Sequence, residues 1–294
     1  MNSKLPRDDF VQTYFALRLA LGALAPALPL ALFVAGGLLQ GIRLQPSISA
    51  YYHSDVRDIL VGVLCAIGCG LIAYKGFGRS EDWALNLGGV LACSIALFPM
   101  NPADALICIQ PNCVGECLMQ SARLDRTADV AIALKLHFPA AISFYAVLGY
   151  VMIFCSHRTL HLVPAKERRW YLAAYPALGV LFVGSMVTAF VLLKFFFSPH
   201  ADVCGDQWVF WVEVAGIVSF ALYWFVKTYE CAKHDTDRRI PNRRQPFNAM
   251  PPKTAPGIER PAPPAAEPAQ PSDWERYKSL WRNGAGTAAG GGTK

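Results

Sequence analysis

The sequence predicts an all-α fold, a polytopic membrane protein built as a six-transmembrane-helix bundle, and three observations carry that prediction. Six apolar stretches, Tyr14–Leu39, Ile59–Tyr74, Trp83–Pro99, Val130–Cys155, Tyr171–Phe197 and Trp208–Tyr229, are each long enough to cross a bilayer, since roughly 17–25 apolar residues make one crossing. Lys and Arg fall mainly on alternate sides of these stretches. The apolar content then stops at Tyr229. The chain is 54% hydrophobic and only 16% charged, too little charge to interleave at the period of soluble helices or strands.

The first stretch is too long for a cleaved signal and reads as a retained helix, with Pro26 and Pro29 predicted to kink it by removing backbone donors. The second and third stretches are the shortest. Gly62, Gly68 and Gly70 in one, and Gly88 and Gly89 in the other, predict close helix packing. Trp83, Trp208 and Trp211 mark membrane boundaries. Residues 1–235 therefore form the membrane domain. Residues 236–294 form a basic tail, with ten prolines between Ile240 and Pro271, expected to be disordered because it has little apolar surface to bury. Near its end, Asp273–Arg282 predicts a short aromatic helix that lies on the membrane or docks a protein partner.

Positive charge sets the orientation. Lys4, Arg7, Lys75, Arg79, Arg158, Lys166, Arg168 and Arg169 lie on the side shared with the basic tail, while Arg43, Arg57, Arg123 and Arg126 lie on the other. Both termini are thus expected in the cytoplasm, with the protein in a plasma membrane of the bacterial inner-membrane type. The net charge of +6 is explained by this bias and by attraction to anionic lipid. No nucleic-acid-binding motif is present, and membrane lipids are the expected partners. Cys108, Cys113, Cys117 and Cys204 fall on the outside and predict two disulfides. The membrane cysteines Cys65, Cys69, Cys93 and Cys155 read as small apolar fillers.

The densest polar run is Pro46–Asp58, leading from the first outside loop into the second helix. Ser54 is expected to cap that helix, with Asp55 and Asp58 in its first turn. His137 lies about two turns inside the fourth helix from the outside, and Glu213 lies at similar depth in the sixth. His53, Asp58, His137 and Glu213 then share one outer-leaflet layer, where ionisable groups normally face one another or a cavity. They are the candidate catalytic residues, with Ser47, Ser49 and Tyr52 lining the mouth. His53, His137 and Asp58 also suit zinc, which would turn a bound water into a nucleophile. A metal-free acid–base pair centred on His137 is a second possibility. A third is structural, with Lys135 or Lys194 neutralising Asp58 or Glu213 and the histidines hydrogen-bonding between helices. His157 and His161 read as an interfacial loop.

The run Pro46-Ser47-Ile48-Ser49, followed by Tyr51-Tyr52-His53 and Arg57-Asp58, resembles a family of uncharacterised bacterial six-helix membrane proteins. Ala96-Leu97-Phe98-Pro99, Leu136-His137, and Glu213 with Trp224 and Lys227 extend the resemblance. More distantly, the first loop and helix count are similar to DRAM proteins and GPI-anchor lipid-remodelling factors. That likeness implies lipid remodelling or a regulatory membrane role. Ser49-x-x-x-His53 is similar in spacing to membrane ceramidase-type hydrolases, whose late-helix His-x-x-x-His pair has no counterpart here. The function expected is a lipid-modifying hydrolase or transferase with an outer-leaflet polar site. The alternative is a non-enzymatic structural, scaffold or lipid-sensing protein.

Overall fold

The computed structural model describes residues 6–42, 44–98, 100, 128–192 and 207–239, with side chains from 11 onward and, in the fourth long helix, from 135. The four cysteines expected to form disulfides, Lys194, and the tail from 240 lie outside the described residues. Every regular element among the described residues is helical.

Helix α1 spans Pro6–Leu32 and runs through both prolines. Its irregularity comes one turn later, where Phe33–Leu39 widens into a π-helical segment and the Gly36 carbonyl accepts from the Ile42 amide at 2.8 Å. Helix α2 spans Arg57–Ala73 and α3 spans Arg79–Leu97. Helix α4, Ala128–Tyr150, ends in a wide turn at Val151–Cys155 and a tight one at Ser156–Leu162. His157 and His161 sit in that tight segment, where the Arg158 carbonyl accepts from His161 Nδ1 at 2.8 Å. Helix α5 spans Ala165–Val191, α6 spans Trp208–Lys233, and the one-turn α7 spans Thr236–Arg239.

Among the described residues, four helical stretches are long and apolar enough to cross a membrane: Val11–Leu39, Lys135–Leu162, Ala165–Val191 and Trp208–Lys233. Helices α2 and α3 are shorter, at 17 and 19 residues. Packing follows chain order, with each of α1 to α6 against the next and α6 closing on α1. The bundle is therefore a ring, and its centre holds Leu21, Ile67, Leu71, Leu148, Phe182 and Phe220.

The glycine pattern works hardest between α2 and α3. A Cβ on Gly89 would sit 2.5 Å from the Gly68 carbonyl oxygen, and one on Gly68 would sit 2.7 Å from the Gly89 oxygen. The two backbones touch there, which only a missing side chain on both sides permits. Gly70 and Gly88 likewise make room for Leu21 and Leu148, whereas Gly62 meets nothing. The α2–α3 turn is tied by carboxylates, with Asp82 accepting from the Gly76 amide at 2.5 Å and Glu81 from the Phe77 amide at 3.0 Å.

Candidate functional site: a cavity at the Glu213 end

The polar run between α1 and α2 folds back over the bundle because its own side chains satisfy its backbone. Ser47 Oγ accepts from the Ala50 amide at 3.1 Å, opening a tight helical turn over Ser49–His53. Tyr51 is buried against Phe210 of α6, with ring centroids 6.4 Å apart, and its hydroxyl accepts from the Gln45 amide at 3.4 Å. The Ile48 amide donates to Glu213 Oε2 at 2.6 Å, pinning the loop to α6. Ser54 turns back to the Tyr51 carbonyl at 2.7 Å. The N-cap of α2 is Val56, without a side-chain bond, so the expected Ser54 cap is replaced by a cap on the preceding turn.

Both histidines bind the end of α3. His137 Nδ1 lies 2.7 Å from the Phe98 carbonyl, and His53 Nε2 lies 2.9 Å from the Met100 carbonyl. A carbonyl only accepts, so these nitrogens carry the protons and the opposite ring nitrogens keep their lone pairs. For His137 that nitrogen is Nε2, and the ring lines a cavity. Burial, reinforced by the charge of Arg57, pushes His53 below the ordinary histidine value, against the opposing effect of its bond to Met100.

The cavity holds about 150 Å³ and draws on all six long helices and the loop. Its polar lining is Ser47, Ser49, His137, Tyr145 and Glu213. Apolar and aromatic side chains, among them Phe138, Phe144, Met186 and Phe190, form the rest. Its size matches an engineered cavity of ~150 Å³ that accepts benzene. Toward the bundle centre the Tyr145 ring stacks on Phe182, whose carbonyl accepts from the Ser185 hydroxyl at 2.7 Å. The Ser185 hydroxyl rests against Gly216, one turn along α6 from Glu213.

Four of the expected site residues, Ser47, Ser49, His137 and Glu213, therefore meet at one cavity. Three do not. His53 ends the loop's tight turn and is held to the Met100 carbonyl without lining the cavity, Asp58 is solvent- or lipid-exposed in the first turn of α2, and Tyr52 packs under Arg57, whose guanidinium carbon is 4.6 Å from the ring centroid. His53 and Asp58 thus lie outside the lining of this cavity. Among the described residues, His53, His137 and Asp58 included, no three His, Cys, Asp or Glu side chains are grouped to hold a metal ion. Of the structural alternative, the histidine hydrogen bonds are present, from α4 and from the loop to the segment after α3, while Lys194 lies outside the described residues. Lys135 is exposed, and among the described residues neither Asp58 nor Glu213 is ion-paired.

A second polar centre, at the Lys227 end, was not anticipated. Lys227 Nζ donates to Glu230 Oε2 at 2.9 Å, to Thr159 Oγ1 at 2.6 Å and to the Ser156 carbonyl at 3.2 Å. Glu230 also accepts from Thr159 and Tyr175, and both charged side chains are essentially sealed, at 2% and 0% exposure. Beside this cluster Arg18 of α1, wholly buried, pairs with Asp237 of α7. The available signals were Arg18 standing alone inside the first apolar stretch and the i,i+3 spacing of Lys227 and Glu230. No family model, curated protein or solved structure matches the chain.

Proposed function

We propose that this chain is a six-span membrane protein whose Glu213 end faces the outside and acts on a lipid-like substrate by acyl hydrolysis or transfer. The positive-charge bias supports the orientation. Helices α2 and α3 complete the ring between two helices of membrane length, which supports six crossings. The carrying observation is the apolar cavity in which His137, with its proton fixed on Nδ1, meets Glu213, Ser47 and Ser49.

In this reading His137 Nε2 is the general base, taking a proton from a water or hydroxyl that attacks the substrate carbonyl, and the protonated ring then gives that proton to the leaving alcohol or amine as the acyl C–O or C–N bond breaks. The Phe98 carbonyl fixes the tautomer and so acts as a positioning group. Ser47 has its hydroxyl committed to the Ala50 amide, which leaves Ser49 as the freer hydroxyl at the mouth. Acyl chemistry is favoured over phosphoester chemistry by charge. Among the described residues no Lys or Arg lines the cavity, and a phosphate there would meet Glu213 without a described cation to neutralise it.

His137→Asn tests the mechanism, because the amide keeps a donor for Phe98 while deleting the base. Purified protein in lipid nanodiscs is incubated with long-chain esters and amides, and products are read by mass spectrometry. The expected result is turnover that falls to background in the variant while its thermal midpoint holds. Equal turnover in both proteins refutes the base. The same hydrogen bonds also support a second reading, a purely structural clamp of loop to bundle, and an absence of any lipid product across those substrates favours it.

A further inference from the structure

The reading of the Glu213 cavity as a ligand site rests on shape and polarity, and the inference here rests on that reading and concerns charge. A carboxylate deep in a bundle is costly unless something neutralises it. At the Lys227 end the protein supplies that partner itself: Glu230 has Lys227, and Asp237 has Arg18. At the other end no described residue does, Lys194 lying outside the described residues. Glu213 accepts one hydrogen bond, from the Ile48 amide, and no described Lys or Arg approaches it. Arg57 is occupied over the Tyr52 ring and Lys135 is exposed, and neither lines the cavity.

The rest of the lining suits a cation. Phe138, Phe144, Tyr145 and Phe190 all face the same space, and aromatic faces attract ammonium groups, most strongly where water is excluded. The cavity also has a way out for a chain. Phe190 of α5 lines it and is 47% exposed, which puts the opening beside α4 and α5, on the flank of the bundle. A volume of about 150 Å³ holds a head and its first carbons, so the remainder of a long chain would extend outward past Phe190.

We propose that the Glu213 cavity binds a cationic amphiphile, a long-chain amine whose ammonium group sits beside the Glu213 carboxylate and whose chain leaves past Phe190 between α4 and α5. Glu213 then discriminates by charge, favouring an amine over an alcohol of equal chain length and excluding a phosphate.

The test compares dodecylamine, dodecanol and dodecyl phosphate at neutral pH, with the full-length protein in phosphatidylcholine nanodiscs and empty nanodiscs as the partition control. Binding is read by native mass spectrometry and by thermal shift. The expected order is amine first by about tenfold or more, with Glu213→Gln bringing the amine level with the alcohol. The glutamine keeps an oxygen for the Ile48 amide, and Glu213→Asp, which keeps the charge, should retain part of the preference. Ala141→Phe, which fills the cavity from α4, should abolish binding of the amine and the alcohol. Equal binding of amine and alcohol in the unaltered protein, or an unchanged preference in Glu213→Gln, overturns the charge inference and leaves the cavity standing. Amine binding that survives Ala141→Phe overturns the cavity reading itself.

Discussion

The buried pair at the Lys227 end yields the sharpest stability prediction, because neither partner has an alternative. Removing the negative charge by Glu230→Gln leaves Lys227 with the Thr159 hydroxyl, the Ser156 carbonyl and the Phe77 and Tyr175 ring faces, and with the more distant Glu81 in place of a hydrogen-bonded counter-charge. Removing the positive charge by Lys227→Met leaves Glu230 with two hydroxyl donors, from Thr159 and Tyr175. At 2% and 0% exposure water cannot reach either group, and breaking such a pair costs about 3–5 kcal/mol. At roughly 2–4 °C per kcal/mol for a chain of this size class, each single variant should melt about 6–20 °C lower. The double variant Lys227→Met/Glu230→Gln removes both charges and keeps an oxygen for the hydroxyls. It should lose only about 2 kcal/mol or less, well below the sum of the singles. Thermal unfolding in detergent, followed by tryptophan fluorescence, measures all three. Singles that lose less than about 1 kcal/mol, or losses that add to within about 0.5 kcal/mol, would refute the argument that the pair is sealed and mutually dependent.

Gly89→Ala should cost about 1–3 kcal/mol, because the new methyl meets the Gly68 carbonyl at 2.5 Å and backbone cannot step aside; Gly62→Ala and Gly184→Ala, which meet nothing within 4 Å, should be neutral or slightly stabilising, and the same melting assay separates them. The pH profile should slope downward on acidification. His53 is held below its ordinary value by burial, and His234 likewise by burial, with Glu167 opposing. The unfolded chain therefore takes up protons first as pH falls through about 6.5, and stability is lost below that value. His53→Gln keeps an amide donor for Met100 and should flatten part of this loss between neutral pH and pH 5, leaving the His234 part; an unchanged slope removes His53 from the account. Tyr175→Phe deletes one donor to Glu230 and should cost about 1–2 kcal/mol.

The helices were legible because hydrocarbon demands a long apolar run, and the runs were there to see. Their ends were less so. Helix α3 begins at Arg79 and α5 at Ala165, ahead of the apolar positions Trp83 and Tyr171, because a helix continues into water on polar residues that a hydropathy reading passes over. At the Glu213 end, depth alone found His137 and Glu213, one on α4 and the other on α6. Depth also admitted His53 and Asp58, which have the right height and the wrong direction: Asp58 faces away from the bundle, and His53 is turned to the Met100 carbonyl. At the Lys227 end the opposite error occurred. Lys227 stands two positions before the end of the last apolar stretch, where a lysine reads as a boundary charge, so its burial against Glu230 does not show in the sequence. Arg18 was hidden inside the most apolar stretch because its partner, Asp237, lies 219 residues away.

The two polar centres differ in kind, and the space between them separates an enzyme or receptor from a transporter. Glu213 and Lys227 both lie on α6, 14 positions and about 21 Å apart along its axis. A transport path would need polar groups with free valences spanning that interval. The hydroxyls that occur there are spent on backbone: Ser219 donates to the Leu178 carbonyl at 2.6 Å and Ser185 to the Phe182 carbonyl at 2.7 Å. Around them Leu21, Ile67, Leu71, Leu148 and Phe220 are buried and offer a passing ion or water nothing to bind. The Lys227 end is saturated, each charge matched inside the protein. The Glu213 end has a cavity, a histidine with a free lone pair and a carboxylate without a described cation. Rigidity is invested at one end and chemistry is left open at the other, which is the arrangement expected of a site that receives its ligand from one side and returns it there.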